Sequence, residues 1–206
     1  MRTILGRLTS VNVMKVVWAC EELGVAYARE DVGGAFGGNR TPEFLAMNPN
    51  GLVPVLREDD GFTLWESNTI LRYLGATHPS ALWPEAPRAR ARLERWMDWQ
   101  LSRLSDPMRV IFWTLVRTPP GQRDMAAVAR AAAEAAGLWA ILEAHFADHA
   151  YLGGEDFTLA DIPAGCFVHR WFNLDVARPH QPAVRAWYER LLERPAYAQY
   201  VARPLE

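Results

Sequence analysis

Three residue pairs in this chain have types and spacing that can do chemistry: Ser10 and Asn12, Val53 and Pro54, Glu66 and Ser67. In Asn48-Pro49-Asn50-Gly51-Leu52-Val53-Pro54-Val55-Leu56, Asn-Pro and Asn-Gly mark turns. The Val-Pro-Val-Leu run reads as a strand that carries proline where a ladder N–H belongs. One backbone position there is left unpaired and free to bind something else. Gly61 turns the chain, Phe62 to Trp65 reads as a second short strand, and Glu66-Ser67 falls where a helix begins. Free N–H groups and the positive end of a helix dipole suit a carboxylate at such a place. Ser10 and Asn12 end the loop Gly6-Arg7-Leu8-Thr9-Ser10-Val11-Asn12, at the start of another helix. A thiolate set there is stabilised by a hydroxyl, an amide and the dipole. Ser and Asn are also the commonest helix caps, so plain capping is the competing reading.

The string Asn-Pro-x-Gly-x-Val-Pro-x-Leu, followed by Glu-Ser-x-x-Ile-x-x-Tyr-Leu, resembles the glutathione-binding half of the cytosolic glutathione S-transferases. Ser-x-Asn-x-x-Lys-Val, here Ser10, Asn12, Lys15 and Val16, resembles the serine-type and bacterial members. The resemblance covers nearly the whole chain. It implies a cis Val53-Pro54 bond that turns the Val53 backbone toward the cysteinyl part of glutathione. It implies that Ser10, with Asn12 second, donates to the glutathione sulfur, and that Glu66 and Ser67 hold the γ-glutamyl end. Leu52 departs from relatives with Lys, Arg or Gln there, which reach the glycine carboxylate. Arg40, or the Gly33–Asn39 loop, is the expected substitute. The second substrate, a hydrophobic electrophile, is expected between the halves, against Leu8, Met108, Arg109, Phe112 and Trp113. Glutathione is then a co-substrate, no metal is expected, and the resemblance implies a homodimer; Trp99 and Arg103, off the core stripe of the helix over residues 89–104, are expected to face the partner. A glutathione-dependent disulfide reductase or peroxidase, and a non-catalytic thiol-binding regulatory module, are the alternatives.

These residues need a scaffold of two kinds. Residues 1–78 alternate short strands with helices, as in a thioredoxin-like α/β domain. Arg2 to Leu5 reads as a strand; Val13, Val16, Val17, Cys20 and Leu23 have helical spacing, ended by Gly24; Tyr27 to Val32 reads as a second strand. A right-handed crossover sets the first two strands parallel. Residues 79–88, with Pro79, Pro84 and Pro87, read as a linker. Residues 89–206 read as an all-helical bundle. Its stripes are Leu93, Trp96, Met97, Leu101 and Leu104; then Val128, Ala131, Ala135, Leu138, Leu142 and Phe146; then Val184, Trp187, Tyr188, Leu191 and Leu192. In Phe157-Thr158-Leu159-Ala160-Asp161-Ile162, Thr158 is expected as N-cap and Asp161 at N3, with Phe157 and Ile162 as a hydrophobic staple.

Composition excludes several classes. Net charge is −2 over 206 residues with no Lys/Arg run, which does not suit nucleic acid or an anionic membrane. Two cysteines, Cys20 and Cys166, are too few for a disulfide framework, and no Cys-x-x-Cys exists for dithiol chemistry. No signal-peptide stretch or membrane-length apolar run is read, so a cytoplasmic protein is expected. His145 and His149 share a helix face but lack a third metal ligand.

Overall fold

The computed structural model describes residues 1–206, which divide into two compact units, Met1–Glu85 and Ala86–Glu206. In the first unit β1 (Thr3–Leu5) leads into α1 (Val11–Leu23), then β2 (Ala28–Glu30), a short α2 (Pro42–Met47), β3 (Val55–Arg57), β4 (Thr63–Trp65) and α3 (Ser67–Thr77). The sheet order is β2-β1-β3-β4. β1 and β2 are parallel, and β3 runs antiparallel to both β1 and β4. This is the expected thioredoxin-like arrangement.

Each helix of this unit has a legible cause. The α1 stripe buries Val13, Val16, Val17 and Cys20, and Gly24 ends the helix in the left-handed conformation at φ 65°. Against it packs α3, which buries Ile70, Leu71 and Leu74. The sequence pattern does not announce α2, although its start is locally encoded. Thr41 accepts a hydrogen bond from Phe44 N, and Pro42 stands in the first turn.

The second unit is helical: α4 (Pro87–Trp99), α5 (Ser105–Phe112), α6 (Met125–Phe146), α7 (Asp161–Asn173), α8 (Pro182–Leu192) and α9 (Pro195–Tyr200). α4 thus starts inside the segment read as linker, where Trp83 is already buried. A π-turn over Gln100–Leu104 joins α4 to α5, and another, Trp113–Arg117, comes after α5. The expected α4 stripe is corrected at one position. Leu101 is 47% exposed while Gln100 is buried, in helical step with Leu93, Met97 and Leu104, its amide donating to Ser105 Oγ at 2.7 Å. All six residues of the α6 stripe are buried. That 22-residue helix is long and apolar enough to cross a membrane by composition, but its apolar face is committed to this core.

The capping motif makes its expected contact, although α7 as assigned begins only at Asp161, with Ala160 as the residue before it. The Thr158 N–H and hydroxyl both donate to Asp161 Oδ2, at 2.9 and 3.2 Å. Leu152 N and Trp187 Nε1 donate to Oδ1, at 2.9 and 3.1 Å. Asp161 is fully buried, and that burial pushes its carboxyl up to about 6 against the pull of these donors. The carboxylate is the hub that ties the 152–161 loop and α8 to the start of α7.

Candidate functional site

Within the first unit the end of β1, the start of α1, the Val53-Pro54 step and the start of α3 come together. Gly6 is the contact point. A methyl group added there would fall 2.5 Å from a Val13 methyl and 3.1 Å from Val53 Cβ, so only glycine lets the three approach. The Val53-Pro54 bond is cis. Neither the N–H nor the C=O of Val53 bonds within the chain.

Ser10 is the N-cap residue of α1, with extended backbone, and its side chain makes no capping hydrogen bond. Its main chain is occupied instead: Ser10 N donates to Arg7 O, and Ser10 O accepts from Val13 N and Met14 N. The half-buried hydroxyl therefore stands at the positive end of a 13-residue helix with no partner in the chain. Capping, the competing reading, does not describe it.

Asn12 is linked to the other helix start. Ser67 Oγ donates to Asn12 Oδ1 at 3.3 Å. Next to this pair, the buried Lys15 ammonium reaches Asn68 Oδ1 at 3.5 Å. Together these contacts fix the starts of α1 and α3 side by side. Ser67, expected to offer its hydroxyl to a ligand, spends it on Asn12. What α3 still presents is its first N–H groups and the exposed Glu66 carboxylate. Glu66 is the N-cap, and it is the sole non-glycine residue with positive φ, at 71°. Such backbone strain clusters at ligand-holding positions.

Arg40 and Leu52 mark the far edge. Arg40 lies over Gly51, its Nη1 donating to Asn50 O at 3.4 Å, and Asn39 Nδ2 donates to Gly51 O at 2.7 Å. Leu52 is 62% exposed beside them. The Gly33–Asn39 loop is tied in place. Gly33 N donates to Gly37 O at 2.6 Å, and the Arg7 guanidinium lies over Gly33 and Gly34. Asn68 joins this region without a signal in the sequence analysis, whereas Arg7 and Lys15 stand there only as members of the loop and of the Ser-x-Asn-x-x-Lys-Val string, with no role of their own.

The family model for the glutathione S-transferase N-terminal domain matches residues 9–77, which hold every residue just described except Gly6 and Arg7. That for the C-terminal domain matches residues 104–195. The chain belongs to the glutathione S-transferase family. Glutathione S-transferase GstB of Escherichia coli is 42% identical over 100% of both chains. Disulfide-bond oxidoreductase YfcG of Escherichia coli is 31% identical, covering 91% of this chain and 89% of its own length. Among solved structures, the theta class glutathione S-transferase from Xanthomonas axonopodis pv. citri, with glutathione bound, has a TM-score of 0.95. It is 47% identical, with 100% of this chain and 99% of that one covered.

The helical unit of this family member buries two of the expected electrophile residues and exposes two, on α5 and the π-turn after it. Met108 is fully buried and so cannot line an open pocket, which corrects its expected role. Phe112 is 4% exposed, with the Arg170 guanidinium on its ring. Arg109 is exposed and paired with Asp106 at 2.6 Å, and Trp113 is 53% exposed. In the other unit, Leu8 is half-buried in the loop before α1. Burial pushes the Cys20 thiol up to about 12, which makes it inert in the α1 core.

Proposed function

We propose that the protein is a glutathione transferase in which the Ser10 hydroxyl holds the glutathione thiolate. The observation that carries this is the uncommitted Ser10 hydroxyl at the start of α1, beside a Val53-Pro54 step with an unspent backbone. A free thiol is only a few per cent ionised at neutral pH. Ser10 donates to the sulfur, the α1 dipole favours its charge, and the proton leaves to solvent. Asn12, held by Ser67 through its carbonyl oxygen, keeps its amide N–H groups as a second source of donors. The Val53 N–H and C=O pair with the cysteinyl backbone as a strand would. Glu66 accepts from the γ-glutamyl ammonium, and the first N–H groups of α3, at Ser67 and beyond, donate to the α-carboxylate. Arg40 takes the glycine carboxylate in place of the cation absent at Leu52.

The sulfur then attacks the electrophile. A carbon–sulfur bond forms, and the leaving group departs with its electron pair. Leu8 and Trp113 offer apolar surface to that substrate. The working form is a cytoplasmic homodimer engaged in detoxification, with Arg103 exposed and Trp99 half-buried on the helical unit.

A second reading has a specific basis, the relative named as a disulfide-bond oxidoreductase. There the same thiolate attacks a disulfide sulfur and releases a thiolate. Assays with glutathione plus an aryl halide, and with glutathione plus a mixed disulfide, separate the two. Turnover of the aryl halide is expected. Turnover of the disulfide alone would favour the second reading, and no binding of millimolar glutathione would overturn both.

A further inference from the structure

α7 is the most enclosed helix of the second unit, with every residue from Asp161 to Trp171 buried. Among them stands Arg170, the only arginine of the chain that is buried, at 6% exposure. Burying a guanidinium strips its water, and an oxygen partner normally replaces it. Three half-buried arginines obey that rule. Arg2 meets Glu58 at 3.4 Å, Arg178 donates to Phe172 O and Leu174 O, and Arg190 donates to Ala150 O at 2.6 Å. Arg170 has no such oxygen. It lies on the face of Phe112, with Cζ 3.7 Å from the ring centroid. A ring face offers a cation far less than a carboxylate does.

A second cation adds to the imbalance. Arg117, on the π-turn after α5, has Cζ 5.7 Å from the same ring. It donates one N–H to the main-chain oxygen of Glu206, which leaves other donors of its fork unspent. Burial, with the Arg117 charge adding to it, pushes Arg170 down to about 10. Cys166 is the one group that acts in the opposite direction, and no carboxylate is among them. The Arg170 nitrogens are not among the sealed, partnerless polar atoms of the chain, so solvent reaches them.

We infer that Arg170 and Arg117 form an anion-binding site in the helical unit, separate from the Ser10 region, that takes a small oxyanion. A planar carboxylate fits best, since the guanidinium fork accepts both of its oxygens. Such a ligand supplies the charge that Phe112 cannot. The site stands whether or not glutathione is bound or turned over.

The test uses the intact chain without glutathione, titrated with sodium acetate, with sodium sulfate and with sodium chloride, in wild type and in Arg170→Met. Binding is read by calorimetry and by the shift in melting temperature. Acetate should bind wild type saturably and raise its melting point, with sulfate weaker. Arg170→Met should lose the binding, affinity falling about thirtyfold or more. It should also melt higher than wild type in anion-free buffer, because it removes an unpaired buried charge. General salting effects appear equally in both proteins and cancel in the difference. Should Arg170→Met fold poorly, Arg117→Gln on the exposed π-turn serves, and weaker acetate binding is expected. Equal responses of wild type and variant would overturn the site, as would chloride matching acetate.

Discussion

Two helix starts in this protein use the same kinds of residue to opposite ends. At α7, Thr158 and Asp161 saturate one another, and Leu152 and Trp187 add two more donors to a sealed carboxylate. At α1, Ser10 leaves its hydroxyl unspent, and Asn12 uses only its carbonyl oxygen, toward Ser67. The first arrangement is complete within the chain and holds the helical unit together. The second leaves a hydroxyl without a partner in the chain, where the proposed thiolate would be held. A hydroxyl or carboxyl residue at a helix start is therefore not informative by type alone. What separates folding from function is whether its hydrogen bonds close inside the molecule.

The contrast can be broken at either end. Asp161→Ala carries the largest expected effect. It leaves buried donors of Thr158, Leu152 and Trp187 unmatched, at about 1–3 kcal/mol for each unsatisfied group. Chemical denaturation should record a loss of several kcal/mol in stability, with activity lost only in proportion to the unfolded fraction. Gly6→Ala should act on the open end. Its methyl would fall 2.5 Å from Val13 and 3.1 Å from Val53, costing about 1–3 kcal/mol in stability. Glutathione affinity should fall as well, since Val53 is displaced, and calorimetry would record it. Glu66→Gly should have the smallest effect on stability and the opposite sign. Glycine adopts φ 71° without strain, so a gain of about 1 kcal/mol or less is expected, with weaker glutathione binding. Loss of stability in Glu66→Gly would show that this backbone is not strained.

Local signals made much of this legible. The alternation in residues 1–78, the apolar stripe of α6 and the Val53-Pro54 string each lie in contiguous sequence and predicted what is observed. The features that stayed hidden depend on distant partners or on which of two neighbours takes a core position. The Ser67–Asn12 bond joins residues 55 apart, and no pattern in either segment announces it. Trp187 reaches Asp161 across 26 residues, so a two-residue cap became a four-donor hub. Gln100 takes the core position that Leu101 was expected to fill, although leucine is the better core residue. For the electrophile residues, apolar type alone could not distinguish the fully buried Met108 from the exposed Trp113.

Thiolate formation tests the role of the Ser10 hydroxyl most directly. Glutathione is titrated with pH in the presence of the protein, and the thiolate is followed by ultraviolet difference absorbance, in wild type and in Ser10→Ala. The predicted result in wild type is a thiolate band well below the pKa of the free thiol. In Ser10→Ala that band should move up toward the free value, while glutathione binding is largely kept by Val53, Glu66 and the α3 N–H groups. An unchanged thiolate titration in Ser10→Ala would contradict that role and leave the Asn12 amide as the group that holds the sulfur.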